Sequence, residues 1–266
     1  MNSSPSDSRN LPLAGKTAMV TGSSTGIGRC IAIELAQQGA DIIVHGRSNS
    51  DNLRSVQDEI LAFDRQSHFV LADFADSPDW HHFVDQAWAW KQGVDIWINN
   101  AGADVLTGDW PDKPIEDKLE FLWKTDVTST LMLSRIAGRK MQQSKFPTNV
   151  ILNVGWDQAW QGMAGDSGEL FATTKGAIMS MTKSLAQSLA PKVRVNCLAP
   201  GWIKTQWGDQ ASEYWSQRAS SESLMNRWGT PQDVANAAAF LSSDAASFIS
   251  GQVVPINGGF RYDQRD

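Results

Sequence analysis

A glycine-rich segment directly follows the first apolar run of the chain and reads Thr21-Gly22-Ser23-Ser24-Thr25-Gly26-Ile27-Gly28. The apolar run at 17–21 predicts a strand, and the periodic pattern at 27–38 predicts a helix. Between them, Gly22 permits a tight turn, Gly26 lets the backbone approach a phosphate, and Gly28 lets the helix pack closely. The segment therefore predicts a dinucleotide-binding loop with the pyrophosphate at the helix N-terminus, in contact with Gly22, Ser24, Thr25, Gly26, Ile27 and Gly28.

The same alternation of strand and helix continues along the chain. Further strands are predicted at 41–45, 68–71, 95–98, 149–154, 194–198 and 252–256. Further helices are predicted at 52–64, 79–91, 115–142, 168–190 and 231–242. Because several strands are apolar on both faces, we predict an α/β fold of the Rossmann type, a doubly wound parallel sheet of about seven strands in one domain at 11–266. Residues 1–10 are predicted to form a flexible tail, and 206–228 a long irregular lid.

Composition excludes several classes of function. The 266 residues carry a net charge of −6, which argues against a nucleic-acid-binding protein with a basic face. No apolar run approaches the roughly 20 residues of a membrane helix, and the polar start of the chain does not resemble a secretory signal. We therefore expect a cytoplasmic protein. Cys30 and Cys197 lie in apolar segments, predict reduced core thiols, and suggest no metal site.

The end of the second strand bears on the choice of dinucleotide. Sites that prefer NAD place a carboxylate there for the ribose hydroxyls, whereas this chain reads His45-Gly46-Arg47-Ser48. Arg47 could bind a 2′-phosphate bidentately, with Ser48 and Arg29 as further donors. NADP(H) is therefore favoured over NAD(H), the alternative being that both arginines are ordinary surface cations.

Additional motifs follow later strands. These are Asp73-Phe74, Asn99-Asn100-Ala101-Gly102, Val193-Arg194-Val195-Asn196, Pro200-Gly201-Trp202-Ile203-Lys204-Thr205, Gly229-Thr230-Pro231-Gln232-Asp233-Val234 and Ile256-Asn257-Gly258-Gly259. Together they make residues 13–260 resemble the short-chain dehydrogenase/reductase family, especially its 3-oxoacyl-acyl-carrier-protein reductases. The resemblance implies an oxidoreductase that acts on a small-molecule substrate and assembles as a homotetramer or homodimer.

The resemblance also assigns roles to residues that bind the cofactor. It implies that Asp73, beside Phe74, binds the adenine, and that Asn100, Ala101 and Gly102 line the adenosine ribose. It implies that the segment with Pro200, Gly201, Ile203 and Thr205 binds the nicotinamide carboxamide.

The catalytic positions depart from the family pattern. The family places a Tyr and a Lys four residues apart on one helix face, a Ser at a strand end, and an Asn on the long helix. Lys175 is retained, but the Tyr position holds Phe171, the Asn position holds Asp126, and the Ser position falls on Trp156, or one residue later on Asp157. A phenylalanine has no hydroxyl and cannot act as the general acid.

Several substitutes for the missing acid remain open. Asp157, Asp166 and Glu169 are candidate acids, each with the alternative of an ordinary loop carboxylate, whereas neither Tyr214 nor Tyr262 has a neighbouring lysine in sequence. The resemblance implies that Lys175 can still bind the nicotinamide ribose, and we expect Asp126 to pair with it, because a buried cation needs a partner.

The predicted lid is rich in aromatic residues. Trp207, Tyr214, Trp215, Met225 and Trp228, together with Trp110, Trp156 and Trp160, predict either an aromatic pocket for an apolar, planar or acyl ligand or simple packing. Two functions remain open. The chain is either an NADP(H)-dependent oxidoreductase with a non-standard proton donor or a non-catalytic NADP(H)-binding relative, such as a sensor or partner subunit. A purely structural domain fits less well, because the cofactor motifs are intact.

Overall fold

The computed structural model describes residues 11–261 apart from 77, 92, 145–147, 206, 207 and 209–211. The predicted tail at 1–10, Trp207 of the predicted lid and Tyr262 lie outside the described residues.

The core of the fold is a parallel sheet. Its strands are β1 (Thr17–Val20), β2 (Asp41–Gly46), β3 (Ser67–Leu71), β4 (Ile96–Asn99), β5 (Asn149–Val154), β6 (Val193–Pro200) and β7 (Val253–Ile256). The seven strands lie in the order β3-β2-β1-β4-β5-β6-β7, and every pairing is parallel. The order reverses at β1, where β2 lies on one side and β4 on the other, so a crevice opens beyond the carboxyl end of β1. The predicted fold class is confirmed.

Helices cover both faces of this sheet. They are α1 (Gly26–Gln37), α2 (Asp51–Ala62), α3 (Trp80–Lys91), α4 (Ile115–Leu122), α5 (Ser129–Gln143), α6 (Gln158–Gln161), α7 (Asp166–Leu189), α8 (Glu213–Glu222) and α9 (Pro231–Ser242). Alternate residues of β1 point to opposite faces, so Ala18 and Val20 pack in the cluster with α1, α2 and α9, and Met19 packs in the cluster with α3, α5 and α7. No helix in the described part of the chain is long and apolar enough to cross a membrane.

Two predicted segments differ from the structure. The helix predicted at 115–142 is interrupted by a π-helical segment, Trp123–Thr128, between α4 and α5. There the Ser129 hydroxyl donates to the carbonyls of Thr125 and Asp126, and such wide turns recur at functional sites. The lid predicted to be irregular contains α8, in which Arg218 and Glu222 form an ion pair one turn apart.

Candidate active site

The crevice at the carboxyl ends of β1, β2 and β4 is a cavity of about 590 Å³. Its described lining includes residues that the sequence assigns to the cofactor, namely Gly22, Ser24, Thr25, Ile27, Gly28, Arg47, Asp73, Phe74, Asn100, Ala101 and Gly102. Gly26 adopts the left-handed region at φ +58° and completes the turn between them.

The glycine loop is fastened to the turn that follows β4. The Thr21 hydroxyl oxygen accepts from the backbone N–H groups of Asn100 and Ala101 at 2.9 and 3.0 Å. The Asn100 side-chain amide donates to the carbonyls of Thr21 and Gly22 at 3.0 and 3.1 Å. A Cβ at Gly28 would overlap this Asn100 amide and the Gly22 carbonyl. Glycine at this position therefore allows the close approach of α1 that exposes the loop N–H groups to a ligand.

A buried histidine supports the same loop from β2. The Gly22 N–H donates to Nδ1 of His45 at 2.9 Å, so the ring proton lies on Nε2, which is 3.1 Å from the Ala72 carbonyl. The ring stacks on Phe74 with centroids 4.5 Å apart. Burial lowers the pKa of His45 to about 4, against the weaker opposing effects of the Ala72 carbonyl and Asp73. His45 is thus a neutral structural element of the cradle, a role that its sequence position did not reveal.

Two residues predicted to contact the cofactor lie outside the described lining of the first cavity. Arg29 and Ser48 are not among the described residues that line the first cavity. The Arg29 guanidinium pairs with Glu59 on α2, which corrects the expectation that it adds a second cation for the 2′-phosphate. Ser48 is exposed, and its carbonyl accepts from the Ser50 N–H at 2.9 Å. Arg47 is the residue of this predicted group that reaches the cavity.

A second cavity of about 650 Å³ adjoins the first and shares Ile27, Asn100, Gly102 and Ala103 with it. Its described lining includes Pro200, Gly201, Ile203 and Thr205, the segment expected to bind the nicotinamide carboxamide. The catalytic positions Asp126, Trp156, Phe171 and Lys175 line the same cavity. The fold thus brings the predicted cofactor segment and four of the five predicted catalytic positions together.

Lys175 and Asp126 form a buried ion pair in this second cavity. The Lys175 Nζ lies 2.8 Å from Asp126 Oδ2, and the two side chains are 15% and 1% exposed. The other carboxylate oxygen, Oδ1, accepts from the Ala103 N–H at 2.7 Å. The wide turn at 123–128 carries Asp126 to this position, and the expected pairing of the two residues is confirmed.

The positions expected to hold hydroxyl groups hold aromatic rings instead. Trp156 and Phe171 meet edge to face, with ring centroids 6.2 Å apart. Phe171 also packs against the apolar cluster formed by Val105, Leu122 and Leu170. Of the two residues considered for the Ser position, Trp156 lines the second cavity, and Asp157 is not among the described residues that line it.

Asp157 points away from the catalytic positions, so the expectation that it lies among them is corrected. It is 3% exposed, its Oδ2 accepts from the Asn257 side-chain amide at 2.9 Å, and it is not among the described residues that line the second cavity. Burial raises its pKa to about 6, more strongly than hydrogen bonds from Asn257 and the Gln158 backbone lower it. A contact with the neighbouring strand fixes this turn, since the Asp157 N–H donates to the Pro200 carbonyl at the end of β6.

Two tryptophans, Trp202 and Trp215, line the second cavity, and we call them the aromatic wall. The Arg218 guanidinium lies over both rings, 5.8 Å from Trp202 and 5.3 Å from Trp215. Glu222 accepts from Arg218 Nε at 2.6 Å and from Trp202 Nε1 at 2.7 Å. Burial alone would raise the pKa of Glu222, but these hydrogen bonds and that from Gln158 hold it below its ordinary value. Through its hydrogen bond with Trp202, Glu222 links α8 to the segment that follows β6.

The predicted aromatic pocket is only partly assembled from the residues expected. Trp215 and Trp156 line the second cavity, whereas Trp110 lines the first and stacks on Phe121 at 4.1 Å. Tyr214, Trp160, Met225 and Trp228 are not among the described residues of the second cavity, and neither are the candidate acids Asp166 and Glu169.

Sequence reasoning missed Ser167, Met163 and the aromatic role of Trp202, all of which line the second cavity. Ser167 precedes Phe171 by one helical turn, and Lys175 follows by another, so the three residues share one face of α7. That spacing was available in the sequence and would have identified Ser167.

Known proteins resemble this chain over nearly its whole length. A family model described as Enoyl-(Acyl carrier protein) reductase matches residues 22–261. The chain is 34% identical to the 3-oxoacyl-[acyl-carrier-protein] reductase FabG of Aquifex aeolicus, covering 94% of this chain and 98% of the relative. It is 32% identical to Tropinone reductase-like 3 of Erythroxylum coca, covering 92% and 93% of the two chains. Among solved structures, a 7 alpha-hydroxysteroid dehydrogenase complexed with NADH and 7-oxo glycochenodeoxycholic acid matches with a TM-score of 0.84 at 32% identity, covering 96% and 97%.

Proposed function

The chain belongs to the short-chain dehydrogenase/reductase family, and from that membership we propose that it is an NADP(H)-dependent oxidoreductase with a non-standard proton donor. Its substrate would be a carbonyl compound or alcohol with an apolar, planar or acyl body. One observation carries the proposal. The glycine cradle opens, through shared walls, into a second cavity that holds Lys175 and is lined by aromatic rings.

The residues of the first cavity fit a dinucleotide. The cradle depends on the missing Cβ atoms of Gly22 and Gly28, because a Cβ at Gly22 would lie 2.8 Å from the Ala101 Cα. Loop N–H groups at 24–28 would hold the pyrophosphate, and Asp73 would lie at the adenine end. The nicotinamide, when bound, supplies or accepts the hydride.

The charges around β2 support NADP(H) over NAD(H). Arg47 lines the cavity at the end of β2, where sites that prefer NAD carry a carboxylate. Asp73, an acid that lines the same cavity, accepts a hydrogen bond from the Ala75 N–H at 2.9 Å. A 2′-phosphate would therefore meet a guanidinium that can bind it bidentately.

The second cavity supports a reaction with weak proton assistance. Among the described residues that line this cavity, Ser167 and Thr205 carry hydroxyl groups. Phe171 and Trp156, at the positions where the family has hydroxyl groups, carry none. Ser167 lies on the α7 face that carries Lys175, so it is our candidate hydrogen-bond donor to the substrate oxygen, with the proton drawn from water. An aliphatic hydroxyl is a weaker acid than a phenol, and positioned general acids contribute about 10²–10⁴-fold. We therefore expect slow turnover or a substrate that needs little proton transfer.

Activity in both directions would test the proposal. NADPH oxidation would be measured with 3-oxoacyl thioesters, ketones and quinones, and NADP⁺ reduction with the corresponding alcohols. The natural chain would be compared with Phe171→Tyr/Trp156→Ser and with Ser167→Ala. Turnover by the natural chain that falls in Ser167→Ala supports the proposal. Failure of both NADPH and NADP⁺ to bind would overturn it.

A non-catalytic NADP(H)-binding role is the second candidate. The observation that favours it is the replacement of both catalytic hydroxyl positions by two rings in mutual contact, Trp156 and Phe171. Tight binding of NADPH without turnover by the natural chain, together with turnover by a Phe171→Tyr/Trp156→Ser/Asp126→Asn variant, would establish this function instead of the first.

A further inference from the structure

The second cavity holds a charge balance that the family pattern does not have. Among the described residues that line it, the charged side chains are Asp126 and Lys175. They lie 2.8 Å apart, so the carboxylate cancels most of the field of the ammonium at longer range. An asparagine at position 126 would leave one uncompensated positive charge.

The carboxylate is held rigidly in this position. The Ala103 N–H donates to Oδ1 at 2.7 Å, and a Cβ on Gly102 would lie 3.1 Å from Oδ2. The turn after β4 therefore packs directly against the carboxylate, whose side chain is 1% exposed. Because Asp126 is enclosed by protein, water screens its interactions weakly.

The two redox forms of a nicotinamide dinucleotide differ in charge at the ring. The oxidised ring carries a positive charge and the reduced ring is neutral, while the ribose and phosphate groups are the same. The ratio of the dissociation constants of NADP⁺ and NADPH therefore reports the electrostatic potential where the ring binds. Contacts shared by both forms cancel in this ratio.

We propose that Asp126 is a specificity-determining residue that favours the oxidised dinucleotide, by cancelling the charge of Lys175 beside the nicotinamide ring. The inference rests on the proposed function, because it requires the ring to bind in the second cavity. With Asp126 present, the cationic ring meets a neutral pair, so NADP⁺ does not incur the repulsion that Lys175 alone would impose. Such a site shifts a bound redox couple toward NADP⁺ and alcohol.

The test is a set of equilibrium titrations with NADP⁺ and NADPH on the full chain. Asp126→Asn should raise the ratio of the NADP⁺ dissociation constant to the NADPH dissociation constant by about tenfold. That is the size of effect expected from one unit charge near the ring in a partly buried site. Lys175→Met should lower the ratio. The charge-balanced Asp126→Asn/Lys175→Met variant should return it to within about twofold of the natural value. A purely structural role would weaken both forms equally and leave the ratio unchanged.

Asp85→Asn is a matched control, because Asp85 forms a 2.7 Å ion pair with Lys140 on the α3–α5 surface, away from the lining of the second cavity. It should leave the ratio unchanged. If both dinucleotides bind and Asp126→Asn leaves the ratio unchanged, the inference is overturned and the proposed function survives. If Asp126→Asn does not fold, the Lys175→Met variant provides the test. An unchanged ratio of the two dissociation constants in that variant overturns the inference. If neither dinucleotide binds the natural chain, the proposed function itself fails.

Discussion

The backbone N–H of Gly22 donates to Nδ1 of His45 across 2.9 Å, so a neutral imidazole on β2 holds the first turn of the glycine loop. Protonation of that nitrogen would remove the acceptor and place a charge in a site where the residue is 2% exposed. The shape of the cradle is therefore coupled to the protonation of one side chain.

The contribution of His45 to stability should fall in mild acid. Its pKa falls from 6.5 to about 4 on folding, so between these values the unfolded chain binds the extra proton. The His45 contribution is thus fully retained above pH 6.5 and decreases as the pH falls toward 4, by up to about 3 kcal/mol. In urea denaturation, His45→Gln should gain stability relative to the natural chain as the pH falls from 6.5 to 4. The same substitution at exposed His81 should leave the pH dependence of stability unchanged, and an unchanged pH dependence in His45→Gln would contradict the prediction.

Asp157 should have the opposite effect on stability. Its pKa rises from 3.8 to about 6 on folding, so the folded chain binds the extra proton between these values and loses stability as the pH rises. Asp157→Asn removes this cost and should stabilise the protein by up to about 3 kcal/mol at pH 8, with little effect near pH 4. Thermal denaturation at the two pH values measures the difference. Destabilisation at both would show that the carboxylate contributes favourable contacts even when charged.

Gly28→Ala should strongly weaken dinucleotide binding. The added Cβ would overlap the Asn100 amide and the Gly22 carbonyl, so α1 must move away from the loop. We expect affinity for NADPH to fall by about 100-fold or more, as for the loss of several phosphate hydrogen bonds. Gly176→Ala is the matched control, because a Cβ there meets nothing within 4 Å. It should leave binding intact and stabilise α7 by roughly 0.5–1 kcal/mol.

Arg47→Ala should weaken the binding of NADP⁺ far more than the binding of NAD⁺. A charge-assisted contact with the 2′-phosphate contributes about 1.5–3 kcal/mol, which is about 10- to 100-fold in affinity. Arg29→Ala should leave the ratio of the two affinities unchanged, since the Arg29 guanidinium pairs with Glu59. Calorimetric titration with both dinucleotides measures these ratios. A selective loss of NADP⁺ affinity in Arg29→Ala would contradict the assignment of Arg47 as the 2′-phosphate residue.

The parts of the site that follow local patterns could be predicted from the sequence. Strands buried on both faces and the spacing of Gly22, Gly26 and Gly28 are properties of neighbouring residues, and both predicted the fold correctly. The ion pair of Lys175 with Asp126 was also predictable, because two substitutions pointed to one unpaired cation.

Other features depend on contacts that sequence does not encode locally. His45 meets Gly22 only because β1 and β2 pair in register, with Val20 opposite Val44. The sequence places Arg29 just after the glycine loop but does not indicate that Glu59, on the following helix, lies beside it. The apolar pattern across 115–142 is continuous, so the wide turn at 123–128 could not be seen. The orientation of Asp157 required the hydrogen bond of its N–H to the Pro200 carbonyl.

Restoring the missing hydroxyl groups should not be sufficient to restore a strong acid. In Phe171→Tyr/Trp156→Ser, the Lys175 ammonium that should activate the phenol still lies beside Asp126, at 2.8 Å in the natural chain. We expect a gain in kcat/KM for carbonyl reduction of less than about tenfold in this variant, and of about 10²–10⁴-fold when Asp126→Asn is added. Steady-state NADPH oxidation with the same carbonyl compound measures both gains, with Phe240→Tyr, an exposed ring on α9, as the control. Equal gains with and without Asp126→Asn would mean that the carboxylate does not withhold Lys175. Asp126 would then have to act through the cofactor ring alone.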